Sequence, residues 1–140
     1  MRIFYSPDSD PMILDSVSNL NGIYSELTEF LAKGENKKRI EAITEGSPEP
    51  YSEFLPYIEF AISNGKVLVQ FGKDRGLVVS GSTEYLAKYI EAFEFEESEG
   101  RNHHHPEFSL INENNYEMSG LWPFVEADND YVAEHQETTS

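Results

Sequence analysis

Residues 57–81 read YIEFAISNGKVLVQFGKDRGLVVSG. Within them Ile58, Phe60 and Ile62 alternate with less apolar neighbours, as do Val67, Val69 and Phe71. That period of two places each set on one face of a β-strand. Asn64-Gly65 lies between the two runs and suits a type I′ turn, whose central residues both need positive φ. Lys73-Asp74-Arg75-Gly76 makes the next turn and delivers residues 77–80 as a third strand. The expectation is an antiparallel meander.

Upstream, residues 2–5 (RIFY) form a first strand stopped by Ser6-Pro7-Asp8, and the apolar stretch 12–20 reads as another strand with imperfect alternation. Asn21 is placed to cap a helix, because its side chain can accept from free N–H groups of the first turn. Ile23, Leu27, Phe30 and Leu31 then share one helical face, and Gly34 is placed to end the helix. Residues 37–44 fit strand or helix equally, and 46–50 (GSPEP) form a loop. Downstream, Ser82 caps a second helix with Leu86, Tyr89, Ile90 and Phe93 as its buried stripe. An acidic segment follows at 94–100. Residues 108–111 and 121–125 read as a last strand pair turning at 112–115, with Pro123 assigning the final strand to an edge or a bulge. A helix followed by a hairpin thus recurs over roughly 19–72 and 78–127, which raises a duplicated unit. The expected fold is α+β: one mainly antiparallel sheet with two helices packed on one face, a single domain over 1–127, and a polar, mobile tail over 128–140.

With 140 residues, 39% of them apolar and including nine Phe and eight Tyr, the chain can bury a core without staples. It has no cysteine, so disulfides and thiol chemistry are excluded. No apolar run reaches the ~18 residues a membrane span needs, and residues 1–10 lack the apolar core of a secretory signal, so a cytoplasmic protein is expected. Twenty-six acids against ten bases give a net charge of −16. Lys33, Lys37, Lys38 and Arg39 form one basic cluster, and no Lys or Arg follows Arg101. Such a field repels phosphate backbones, disfavouring nucleic acid, and speeds encounter with basic proteins. The same acidity also serves solubility.

The sequence holds no phosphate-cradling glycine loop and no Gly-x-Ser-x-Gly elbow. Its most unusual segment is 101–127, RNHHHPEFSLINENNYEMSGLWPFVEA. On a strand, His103, His105 and Glu107 would share a face, and two histidines with one carboxylate can hold zinc or iron. Against that, three ligands within five residues of one strand rarely close a tetrahedron without help from elsewhere. The single Trp, Trp122, beside Pro123 and Phe124, suits core packing or a partner surface.

The Ser80-Gly81-Ser82 cap, the helix Glu84-Tyr85-Leu86-Ala87-Lys88-Tyr89-Ile90, the acidic break, His103-His104-His105-Pro106-Glu107-Phe108 and Leu121-Trp122-Pro123-Phe124-Val125-Glu126 follow in that order. Together they resemble the bacterial polymorphic-toxin immunity proteins, in particular immunity protein family thirty-two, over roughly residues 77–127. Pro106 stands where the resemblance would put a β-branched residue. The resemblance implies a non-enzymatic inhibitor, without cofactor, that binds a cognate toxin in the producing cell's cytosol by stoichiometric occlusion. A basic nuclease would suit the charge. Glu94, Glu96 and Glu97, with His103, His105 and Glu107, would supply contacts, and Trp122 an anchor. Two other readings stay open: an enzyme holding a metal on His103, His105 and Glu107, and an acidic adaptor or nucleic-acid mimic.

Overall fold

Leu77–Gly81 lies between the two strands that precede it in sequence, and this insertion sets the architecture. The computed structural model describes residues 1–130. Its strands are β1 (Arg2–Ser6), β2 (Ser9–Asp15), β3 (Lys37–Glu41), β4 (Glu53–Phe54), β5 (Tyr57–Ile62), β6 (Leu68–Phe71), β7 (Leu77–Gly81), β8 (Arg101–His104) and β9 (Phe124–Asp128). The helices are α1 (Val17–Lys33), α2 (Thr83–Tyr89) and the single turn α3 (Asn115–Met118). The fold is α+β, but the strands form two mixed, mostly antiparallel sheets instead of one, ordered β4-β1-β2-β9-β8 and β3-β5-β7-β6.

The meander is the first correction. β5 and β6 do not pair. β7 runs parallel to β5, with Phe60 opposite Val79, and antiparallel to β6, with Val79 opposite Val69. At the Asn-Gly step only Gly65 takes positive φ, at 79°, so no type I′ turn forms. The loop bonds to the end of β7 instead: Ser63 N–H donates to the Gly81 carbonyl at 2.8 Å and Ser82 N–H to the Gly65 carbonyl at 2.9 Å. Parallel neighbours need a crossover of about a dozen residues or more, and residues 63–76, with β6 inside them, supply it.

The β6–β7 turn forms where expected, with Arg75 at φ 72°. Gly76 is required there for space. A Cβ at that position would lie 2.1 Å from the Tyr57 ring. The ring cannot easily retreat: its hydroxyl donates to Asp74 Oδ1 at 2.6 Å and the Arg39 guanidinium covers its face at 3.7 Å. That hydroxyl holds the Asp74 carboxyl below its usual range, and the same contact pushes the Tyr57 phenol up.

α1 starts earlier than Asn21. The apolar stretch 12–20 divides at Asp15-Ser16, where Ser16 Oγ accepts the Asn19 N–H at 3.1 Å as the N-cap. Val17, Leu20, Leu27 and Phe30 are its buried face, and Gly34, at φ 70°, ends it as expected. Ser82 caps α2 as expected, accepting the Tyr85 N–H. One core joins Ile3, Ile13, Val125 and Ala127 of the first sheet, Ile58, Phe60, Val69 and Val79 of the second, and the buried faces of both longer helices. Phe60 meets Tyr89 and Phe93 edge-on, with centroids 6.4 and 6.1 Å away. The opposite face of the first sheet carries a smaller cluster of Phe4, Met12 and Leu14.

Residues 108–111 and 121–125 are not a strand pair. Phe108–Leu110 is a 3-10 turn, and Ile111 makes a parallel bridge to Val67. β9 pairs with β2 in parallel and with β8 antiparallel, so it is an interior strand, and Pro123 precedes it where no ladder bond is needed. With the first hairpin gone, the duplicated helix–hairpin unit has no counterpart in the pairing. Asp128 belongs to β9, and Asn129 Oδ1 accepts the Val17 N–H at 2.9 Å, so order continues past 127. The mobile tail expected beyond that point falls on 131–140, outside the described residues. Among the described residues no helix is long and apolar enough to cross a membrane.

Candidate protein-binding surface

The acidic segment is held by one side chain of α1. Asn21 Oδ1 accepts the Phe95 N–H at 2.8 Å and its Nδ2 donates to the Phe95 carbonyl at 2.9 Å, as a neighbouring strand would. Phe95 is buried by this anchoring, and Glu94, Glu96 and Glu97 stand exposed around it. Asn102 Nδ2 donates to Glu99 Oε2 at 3.2 Å and ties the segment to β8.

β8 presents alternate side chains to opposite sides. His104 stacks flat on Phe95, with centroids 4.0 Å apart and planes 4° apart. Its Nδ1 lies 3.2 Å from the Ala92 carbonyl; a carbonyl only accepts, so Nδ1 carries the hydrogen. His104 borders two clefts. One, of about 610 Å³, is lined by Lys88, Glu91, the three histidines and Glu107. The other, of about 560 Å³, is lined by Asn21, Tyr24, Ser25, Glu94, Glu96 and Glu99. Glu97 lines neither.

His103 and His105 are exposed, with ring centroids 5.4 Å apart, and they border the first cleft together with Glu107. Among the described residues, however, no group of three His, Asp or Glu side chains is placed to hold a metal ion. His105 instead joins a run of aromatic rings. It stacks on Phe124 at 4.9 Å and meets Trp122 at 6.3 Å. Trp122 meets Phe108 edge-on at 5.7 Å, and Phe108 stacks on Tyr116 at 6.0 Å. Trp122 is half-buried and packs on the core, and its Nε1–H donates to the Pro106 carbonyl at 3.1 Å. Packing on the core is thus seen directly for one side of the Trp122 ring. Phe108 and Tyr116 are 59% and 50% exposed, among the largest apolar exposures described.

Sequence reasoning placed Phe108 in a strand and left Tyr116 open between surface and core, so it did not single out the exposed pair. The available signal was their setting: polar Glu107 and Ser109 flank one, and Asn115 and Glu117 the other. Glu107, Glu113, Glu117 and Glu126 accompany the rings in sequence, Glu113 bordering a cleft with Phe108 and Lys66, and Glu126 standing opposite His103 in the β8–β9 register. The chemistry on offer is recognition of cations by rings and carboxylates.

Compared with known proteins, the chain matches no family model, no curated protein and no solved structure.

Proposed function

We propose that this chain is an immunity protein that neutralises a cognate, basic bacterial toxin in the cytosol by stoichiometric occlusion, making and breaking no covalent bond of its own. The observation that carries the reading is the exposed surface of residues 94–126, where carboxylates and aromatic rings adjoin and Trp122 is the partly buried anchor. The net charge of −16 supports it, because a field of that sign accelerates capture of a cationic protein and opposes wrong acidic partners. The resemblance of residues 77–127 to immunity proteins supports the identity of the partner. A surface of carboxylates can also stand where a nuclease toxin would hold its phosphate substrate.

The test is genetic and then physical. The gene immediately upstream is expected to encode a large secreted protein with a toxic C-terminal module, and that module is expressed with and without this chain. Restored growth and a one-to-one complex whose association slows as salt is raised are expected. Growth arrest that persists despite both proteins being made would sink the proposal.

A further inference from the structure

We infer that the ring ladder Tyr116–Phe108–Trp122 is the site at which this surface takes an arginine side chain of its protein partner, a reading that rests on the proposed function and specifies its contact. Around its second sheet the chain makes the same contact twice, taking one carboxylate, Glu53, from β4 of the first sheet. The Arg39 guanidinium lies 3.7 Å over the Tyr57 ring while bonding Glu59 at 3.2 Å, and the Arg75 guanidinium lies 4.2 Å over Phe71 while pairing with Glu53. Each is a ring face with a carboxylate beside it and a guanidinium over both. Arg suits this because its planar cation stacks on a ring while its fork of N–H groups meets a carboxylate.

The ladder has the ring faces and the carboxylates and lacks the guanidinium. Phe108 and Tyr116 are more exposed than any other aromatic residue described. Glu107, Glu113 and Glu117 lie within a few residues of them, and the sequence holds no Lys or Arg beyond Arg101 to serve as an internal partner. Among the described residues no cation lies over Phe108, Tyr116 or Trp122, although Lys66 lines the cleft beside Phe108. A second copy of this chain is a poor occupant, because it would set carboxylates against carboxylates. An arginine-bearing basic surface matches both ring and rim.

Trp122, the only Trp, sits inside the ladder and reports on it. A short peptide of alternating arginine and glycine is titrated into the full chain while Trp122 emission is followed, with the lysine counterpart as control. The arginine peptide is expected to bind about ten-fold more tightly than the lysine peptide, with a saturable change in emission. The Phe108→Ala/Tyr116→Ala variant, altered only at exposed side chains, is expected to lose that preference while keeping its melting temperature. Equal affinity for both peptides, or a preference unchanged in the variant, overturns the inference and leaves charge-driven toxin binding standing. A parent chain that dimerises through this face, shown by sedimentation and abolished in the variant, assigns the ladder to self-association and also overturns it. Failure of the growth rescue removes the toxin as partner, whereas the peptide titration reads the ladder independently.

Discussion

The Asn115 side chain accepts the Val69 N–H at 2.7 Å and donates to the Leu121 carbonyl at 2.7 Å, and it is fully buried. β6 is the last strand of its sheet, so its outer N–H and C=O groups need partners from elsewhere. Val67 exchanges bonds with Leu110 and Asn112, Val69 N–H goes to Asn115, and Ser119 Oγ donates to the Val69 carbonyl. Asn115→Ala would leave two buried backbone groups unpaired and is expected to cost about 2–4 kcal/mol in urea unfolding. Asn115→Asp, which sets a carboxylate against the Leu121 carbonyl in a fully buried site, should cost at least as much at neutral pH; an unchanged midpoint for the Ala variant would refute the role. The sequence shows an asparagine-rich turn at 112–115, which is correct as far as it goes. That its amide serves an edge 46 residues earlier is a non-local fact, and local propensity carries no trace of it.

β3 is the other outer strand of the second sheet, and among the described residues no strand covers its outer edge. Ala42 N–H donates to the Pro56 carbonyl and Ile62 N–H to the Asn36 carbonyl, so the even-numbered residues face β5. By the alternation of antiparallel ladders, the backbone groups of Lys37, Arg39 and Glu41 point outward. Charged side chains are the usual protection for such an edge, which gives the basic cluster noticed in the sequence a structural reason. Lys37→Val/Glu41→Val, which leaves Arg39 over Tyr57, is expected to make the chain self-associate more strongly with concentration; sedimentation indistinguishable from the parent would refute this. At this scale the sequence was legible in part. Alternation gave the buried faces of β5 and β6 correctly, since Ile58, Phe60, Val67 and Val69 are all core. It could not give neighbours, because period two specifies which side of a sheet a residue faces and says nothing about which strand lies beside it. The helix caps show the same split: Ser82 and Gly34 were readable, whereas Asn21, a good cap by type, is used within α1 to hold the Phe95 backbone. The exposure of Glu94, Glu96, Glu97, His103 and His105 agrees with their residue types. That of Phe108 was not legible, since Phe in sequence favours the interior.

Across the whole molecule, −16 is carried on a body with few ion pairs to offset it. Among the described residues, the side-chain pairs Lys33–Glu29, Arg39–Glu59, Arg75–Glu53 and Arg101–Asp128 each have at least one partner well exposed, where such pairs contribute little. Self-repulsion therefore outweighs attraction, and added salt should stabilise the fold by screening it. Raising sodium chloride from 10 to 150 mM shortens the Debye length from roughly 30 Å to about 8 Å, and the melting midpoint is expected to rise by a few degrees, about 1 kcal/mol for a domain of this size. A midpoint that falls with salt would mean that attractive pairs dominate. The same screening should slow capture of a basic partner, so stability and association rate are expected to move in opposite directions. The central place of β9 has a further consequence for biosynthesis. β2 waits on residues 124–128 for its second neighbour, so a ribosome must synthesise β9 before the first sheet can close. Until then the nascent hairpin of β1 and β2 presents an unfilled flank, and a transcript broken before the codon for Phe124 would yield a polypeptide that invites chaperones and proteases.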